Sequence, residues 1–239
     1  NNGNITVITD ISGETPTVVC EYYYDGLNRL RRENNLRRNC TYTYSYDTAG
    51  NITQKATHSF ALGDNTEDIV LPQNVYTYCY ATTGWKDQLV AVVDNSGRRT
   101  ITYDAVGNPL TYLGHTLEWT DVRRLKKFDN ISFTYNVNGI RTEKGDNTFY
   151  ELNSDNILME TRYEMGSNGA PICHNFIYHY DNSGICGFRY NDVNYHFVKN
   201  LQGDVTEIYR QDGTLVGQYI YDAWGNHTIT LDVDGIASL

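Results

Sequence analysis

A chain of 239 residues is long enough to bury one large core or two small ones, and 21 tyrosines and 20 glycines against only 4 prolines describe strands joined by turns. The formal charge of −10 argues against a nonspecific nucleic-acid or anionic-membrane binder, because a phosphate surface demands an excess of Lys and Arg. No apolar run approaches the roughly 18 residues of a membrane span, and no charged-then-apolar signal segment opens the chain.

Residues 1–19 offer one strand, Ile5 to Thr9, and no motif. The first recognisable unit is Tyr22-Tyr23-Tyr24-Asp25-Gly26-Leu27-Asn28-Arg29-Leu30, in which aromatic residues reach a Tyr-Asp turn and the chain leaves through a basic strand. A second follows: Tyr42, Tyr44 and Tyr46 alternate with Thr41, Thr43 and Ser45 before Asp47-Thr48-Ala49-Gly50-Asn51. That period of two places the three rings on one strand face and excludes a helix. Residues 61–74 are the most loop-like interval and the expected excursion from the repeat.

Tyr76, Tyr78 and Tyr80 alternate again, Gly84-Trp85-Lys86-Asp87 turns the chain, and Leu89 to Val93 predicts a buried strand. Tyr103-Asp104-Ala105-Val106-Gly107-Asn108 is a clean copy of the turn, with weaker ones at Trp119-Thr120-Asp121 and Tyr135-Asn136-Val137-Asn138-Gly139. Residues 151–164 are read as strands rather than helix, because Asn153 and Asn156 oppose a helix. Phe176, Tyr178 and Tyr180 alternate into Asp181-Asn182-Ser183-Gly184. The closing stretch is strand and turn throughout: Tyr195–Val198, Asn200-Leu201-Gln202-Gly203-Asp204, Val205–Tyr209, Gln211-Asp212-Gly213, Leu215–Tyr221 and Asp222-Ala223-Trp224-Gly225-Asn226. In such a turn Asp accepts backbone N–H groups further on, and Gly three residues later takes positive φ without steric cost. Gly107 and Gly225 are assigned that conformation.

The series Tyr-Asp-x-x-Gly-Asn at 46–51, 103–108 and 221–226, with degenerate copies at 24, 135 and 180, resembles the YD repeat of the Rhs family. Asn200 through Asn226 is similar to the start of the Rhs-associated core, and Gly84 to Leu89 with the Tyr103 unit resembles the repeats before it. The resemblance implies an all-β fold: a repetitive antiparallel hairpin ribbon that forms part of a curved or hollow β-shell. It divides the chain into N-terminal repeats at 1–60, a loop or excursion at 61–74, repeats at 75–190 and the start of a truncated core at 191–239. The family's role implies a structural segment that encloses and helps deliver a downstream C-terminal effector or toxin domain of the same polypeptide, secreted or at the cell surface. Teneurins share the shell and use it in adhesion, so the rival reading is a surface adhesion or carbohydrate-binding module with a glycan partner. Family cores close with an Arg-x-Arg-Gly-Tyr-Tyr-Tyr-Asp-like segment and an Asp-Pro-x-Gly segment linked in some members to aspartyl autoproteolysis. Neither occurs here, so no catalysis is carried over and the chain reads as a fragment.

The expectation is therefore no enzyme, no cofactor and no metal, with functional residues that are structural: the turn residues Tyr24, Asp25, Tyr46, Asp47, Gly50, Asn51, Tyr103, Asp104, Gly107, Asn108, Tyr135, Gly139, Tyr180, Asp181, Gly184, Gly203, Asp204, Gly213, Tyr221, Asp222, Trp224, Gly225 and Asn226. His58, His115, His174, His179, His196 and His227 lack helical H-x-x-x-H spacing. Cys173 and His174, adjacent on a strand, point to opposite faces and cannot pair as nucleophile and base. Cys20, Cys40, Cys79, Cys173 and Cys186 are odd in number and lack C-x-x-C spacing, which predicts buried free thiols. The basic cluster Arg29, Arg31, Arg32, Arg37 and Arg38 reads as a solvated face or edge protection, and the tyrosine ladders as aromatic cover for one face of a repeat sheet.

Overall fold

The computed structural model describes residues 3–239, apart from the side chain of Asp68; residues 1 and 2, the first of the N-terminal segment, lie outside the described residues. The strands are β1 (Val7–Asp10), β2 (Thr17–Tyr24), β3 (Leu30–Asn35), β4 (Cys40–Tyr46), β5 (Ile52–Ser59), β6 (Asn74–Tyr80), β7 (Leu89–Asp94) and β8 (Gly97–Thr100). There follow β9 (Thr111–Tyr112), β10 (His115–Thr120), β11 (Arg124–Phe128), β12 (Ile131–Tyr135), β13 (Arg141–Lys144), β14 (Thr148–Asn153) and β15 (Asn156–Met165). The last are β16 (Pro171–Asp181), β17 (Gly184–Tyr190), β18 (Val193–Lys199), β19 (Val205–Arg210), β20 (Leu215–Tyr221) and β21 (His227–Asp232). The helical segments among the described residues are short 3-10 turns at Thr66–Asp68 and Val233–Ser238.

The fold is all-β. Strands β1–β8 make one sheet and β9–β21 another, each in unbroken chain order, and the strand pairs are antiparallel. Most connections are too short to do anything but return the chain beside the strand it has just left, and the longer one between β5 and β6 returns to the adjacent position as well. By internal contacts the chain divides into Asn1–His115 and Thr116–Leu239. Residues 61–73 lie inside the first unit, in the connection between β5 and β6 that holds the first 3-10 turn, and Asn74 already opens β6.

Pairing register slips just before the tyrosine that ends many strands: between Tyr23 and Tyr24, Ser45 and Tyr46, Cys79 and Tyr80, and Thr134 and Tyr135. An extra residue on one strand bends it and sharpens its twist, which re-aims each of these rings at the strand end.

In the first unit Cys40, Tyr42 and Tyr44 are buried with Leu30 and Tyr46 packed against them. The opposite face of β3 carries a buried polar network, and here the expectation of a solvated basic face is corrected. Arg32 is 1% exposed. Its Nε donates to Asn34 Oδ1 at 2.7 Å, Nη1 to the Asn65 carbonyl at 2.9 Å and Nη2 to the Ala61 carbonyl at 3.3 Å. Asn34 Nδ2 donates to Glu21 Oε2 and to the Gly63 carbonyl, both at 2.8 Å, and Glu21 Oε2 also accepts from Gly63 N at 3.0 Å. Arg31 is ion-paired with Asp64. The charged strand is thus the seat of loop 61–65: carbonyls with no ladder partner need donors, and these side chains supply them. Arg29 and Arg37 pair with Asp25 and Asp10, both at 2.7 Å.

The second unit centres on Phe176, Phe188, Tyr195, Ile208, Val216 and Ile236. Its rings form a cross-strand ladder, with Phe176 stacked on Tyr190 at 4.7 Å and Phe188 on Tyr195 at 4.9 Å between centroids. Gly187 permits that spacing, since a Cβ there would lie 2.1 Å from the Tyr195 carbonyl oxygen.

Candidate functional site

The elements that recur along the chain are its turns. In Asp47–Asn51, Asp47 N donates to the Asn51 carbonyl at 2.9 Å and Gly50 N to the Asp47 carbonyl at 3.2 Å. Asp47 Oδ1 accepts from Ala49 N and Asn51 N, both at 2.9 Å, while Oδ2 accepts from Asn51 Nδ2 at 2.9 Å. The carboxylate thus satisfies donors that a tight loop leaves without ladder partners. Asp104 repeats the pattern with Val106 and Asn108, and Asp222 with Trp224 and Asn226.

The degenerate copies keep the physics with other residues. Asp25 accepts from Leu27 N and Arg29 N, and Arg29 Nε takes the place of the asparagine amide at 2.7 Å. At 200–204 the pair is exchanged: Asn200 Oδ1 accepts from Gln202 N and Asp204 N while its amide donates to Asp204 Oδ2 at 2.9 Å. Asn136 accepts from Asn138 N and Ile140 N. The fourth turn position is left-handed at Gly50, Gly107, Gly139, Gly203, Gly213 and Gly225, and Asn28 takes it with φ 61°. Two copies depart. Asp181 pairs with Gly184 in a tighter hairpin, its Oδ1 accepting from Ser183 N at 2.7 Å, and the weak copy at Trp119 closes through Asp121 and Val122, both at positive φ.

The tyrosine that precedes many of the turns does more than cover a sheet face. Its hydroxyl donates to a backbone carbonyl at the start of a preceding strand: Tyr46 to Leu30 at 2.6 Å, Tyr80 to Ile52 at 3.0 Å, Tyr103 to Leu89 at 2.6 Å, Tyr135 to Leu125 at 2.8 Å, Tyr180 to Ile157 at 2.8 Å and Tyr221 to Val205 at 2.6 Å. Tyr24 reaches the Ile5 carbonyl at 2.8 Å. Since, apart from Ile5, the acceptor strand begins where one turn ends and the tyrosine stands where the next begins, these bonds clasp successive turns within each sheet. Side chains reinforce it: Arg29 Nη1 donates to the Asp47 carbonyl at 3.1 Å, and Asn51 Nδ2 to Asp87 Oδ1 at 3.0 Å. Sequence periodicity showed the tyrosines but not their acceptors. The signal that could have found them is the Leu, Ile or Val that opens the strand after a turn, ahead of the next Tyr-Asp.

The electrostatics match. The Asn51 amide, helped by backbone N–H groups, holds the Asp47 carboxyl below its ordinary range against opposing desolvation. Desolvation is the largest influence on Asp104 and raises it, yet the hydrogen bonds from Asn108, Val106 and Gly107 together prevail and lower it. Burial raises the phenols of Tyr46, Tyr80, Tyr103 and Tyr221, so each stays a donor.

Among the described residues, no group of three or more His, Cys, Asp or Glu side chains is placed to hold a metal. His58 lies between Thr43 Oγ1 at 3.0 Å and the Val70 carbonyl at 2.9 Å. His174 Nδ1 bonds the Tyr190 hydroxyl at 2.6 Å, while the neighbouring Cys173 thiol is exposed and meets Asn175 Oδ1. The five thiols are free, but only Cys20 and Cys40 are buried; Cys79 and Cys186 are half-buried. The expectation of buried thiols is corrected at Cys173, which sits on an outward-facing position of β16. Trp224 and Val106, inside their turns, are exposed.

No family model matches the chain. A curated relative is the tRNA3(Ser)-specific nuclease WapA of Bacillus spizizenii, 31% identical over 157 residues that make up 60% of this chain and 6% of that protein. Among solved structures, TcdB2-TccC3 without its hypervariable C-terminal region aligns over 99% of this chain and 17% of its own, at 11% identity and a TM-score of 0.41. The Tc holotoxin pore of Photorhabdus luminescens aligns over 87% and 14%, at 13% identity and 0.35. The chain therefore spans a small part of each of these three proteins.

Proposed function

We propose that this chain is a structural segment of a YD-repeat β-shell, which encloses and helps deliver an effector domain encoded downstream in the same polypeptide, outside the producing cell, and that it is not itself an enzyme. The observation that carries the reading is the tyrosine clasp. A repeated bond from one turn to the next indexes each hairpin on its neighbour, so within each of the two sheets the strand order is held by local contacts, as in repeat proteins. Binding or catalysis would not require the same bond at so many successive turns. The partial likeness to a nuclease that carries many residues beyond the matched region supports a covering role beside a separate active domain. The glycan-binding alternative has less behind it, because the tyrosines that recur before the turns commit their hydroxyls to backbone carbonyls.

The test is limited proteolysis of the downstream domain, expressed with and without the repeat region. Protection by the repeat region is the expected result. Equal cleavage rates in the two cases would overturn encapsulation.

A further inference from the structure

The second unit contains a cavity of about 200 Å³ between the ring ladder and the Val233–Ser238 segment, walled by Phe176, Phe188, Phe197, Tyr178, Tyr219 and Ile236. Its polar wall groups are already engaged. Arg162 Nη2 donates to Glu160 Oε1 at 2.7 Å and its Nη1 to the Leu239 carbonyl at 3.1 Å. Tyr178 donates to Glu160 Oε2 at 3.0 Å, Tyr219 to the Ala237 carbonyl at 2.6 Å and Tyr221 to the Val205 carbonyl at 2.6 Å. Glu160 is buried, so the Arg162 charge is matched by a carboxylate inside the protein.

These facts select an occupant. A charged or strongly polar ligand would lose its hydration without gaining a free partner. The walls offer ring faces and edges, which attract another ring in offset or edge-on geometry, and the Arg162 guanidinium lies 5.2 Å from the Phe176 ring centroid, so the wall is also polarised. A dry apolar cavity of roughly 150 Å³ accepts benzene, and this pocket, open on one side, offers a comparable volume. We propose that the cavity is a binding site for a small, neutral, planar aromatic molecule between benzene and indole in size. The site is independent of the shell reading, since it rests on one cavity and not on the turns.

Indole is the probe, titrated into the intact chain by calorimetry, with the methyl resonances of Val205, Ile208 and Ile236 followed by NMR. Saturable binding with a Kd of about 1 mM or tighter, shifts at those methyls and a raised melting temperature are expected. Val205→Phe places a ring in the cavity and should weaken binding by at least about tenfold. N-acetyltryptophanamide, which carries the same ring on a peptide, should bind more weakly than indole because its amides have no partners inside. No saturation, shifts confined to other methyls, or unchanged affinity in a folded Val205→Phe protein would each overturn the site. Tighter binding of the amide would overturn the small-molecule assignment in favour of an anchor for a polypeptide side chain. If Val205→Phe does not fold, the methyl shifts of the unsubstituted protein decide.

Discussion

The hydroxyl of Tyr221 donates a 2.6 Å hydrogen bond to the carbonyl oxygen of Val205. The two residues stand at facing ends of β20 and β19, one just before the Asp222 turn and the other just after the Asn200 turn, so the bond joins two turns without belonging to either. The relation between Tyr46 and Leu30 is the same, with the same sequence separation of 16. Removing the hydroxyl alone isolates its contribution, because the ring and its packing remain. Tyr221→Phe should destabilise the second unit by about 1 kcal/mol, the worth of a typical intramolecular hydrogen bond. Urea denaturation followed by circular dichroism reads this directly, and an unchanged midpoint would show the clasp to be energetically idle.

Gly225 has φ 80°, and the equivalent position at residue 28 is held by asparagine with φ 61°. Gly225→Val should therefore cost more than the roughly 1 kcal/mol of an average substitution, whereas Gly225→Asn should cost less, since asparagine tolerates the left-handed region. Nothing lies within 4 Å of a Cβ built on Gly225, so the difference reports backbone conformation and not crowding. Equal melting temperatures for the two variants would contradict it.

Acid should loosen the turns. The folded-state pKa of Asp47 lies below its ordinary value of 3.8, first through the Asn51 side-chain hydrogen bond, and Asp25 and Asp104 are lowered as well. A depressed folded pKa gives stability that is fully present above the unfolded value and is lost as pH falls through the folded one. Stability should thus decline below a pH of about 4, and Asp47→Asn, which cannot titrate, should flatten that limb. A denaturation series from neutral pH to strong acid is the measurement, and an acid limb unchanged in the variant would remove Asp47 from the account.

Arg32 holds the 61–65 loop through the Ala61 and Asn65 carbonyls. Arg32→Met keeps the length of the side chain but leaves those acceptors and Asn34 without their charged donor. A loss of roughly 3 kcal/mol is expected from the unpaired buried groups, with faster proteolytic cutting within 61–70. Cutting at the original rate would show that the loop is held by other contacts.

The thiols should react in order of exposure. Cys173 is exposed, while burial pushes the Cys20 thiol up to about 11, which leaves little thiolate at neutral pH. A thiol reagent at neutral pH should label Cys173 first and Cys20 only on unfolding, as peptide mass mapping would show.

The strand-and-turn architecture was legible from the residues alone: Tyr42, Tyr44 and Tyr46 recur with period two, and a glycine closes turn after turn. The turns could be located in the same way, since the Asp47, Asp104 and Asp222 carboxylates bond residues only two and four positions away, and contacts that local are written in local spacing. Contacts between residues further apart in the chain were settled by packing. The acceptor of each tyrosine is set by strand pairing and by the register slip beside it, and its separation in sequence varies from 10 residues at Tyr135 to 28 at Tyr80, so no fixed spacing marks it. The burial of Arg32 depends on the loop that carries Ala61 and Asn65, 29 and 33 residues away, folding over β3, which turns a strand that reads as solvent-facing into an interior one. The cavity beneath Ile236 likewise exists only because the Val233–Ser238 segment returns over rings from β16 to β18. Such placements depend on which surfaces meet, and the energy of that meeting is shared among many residues rather than carried by any one motif.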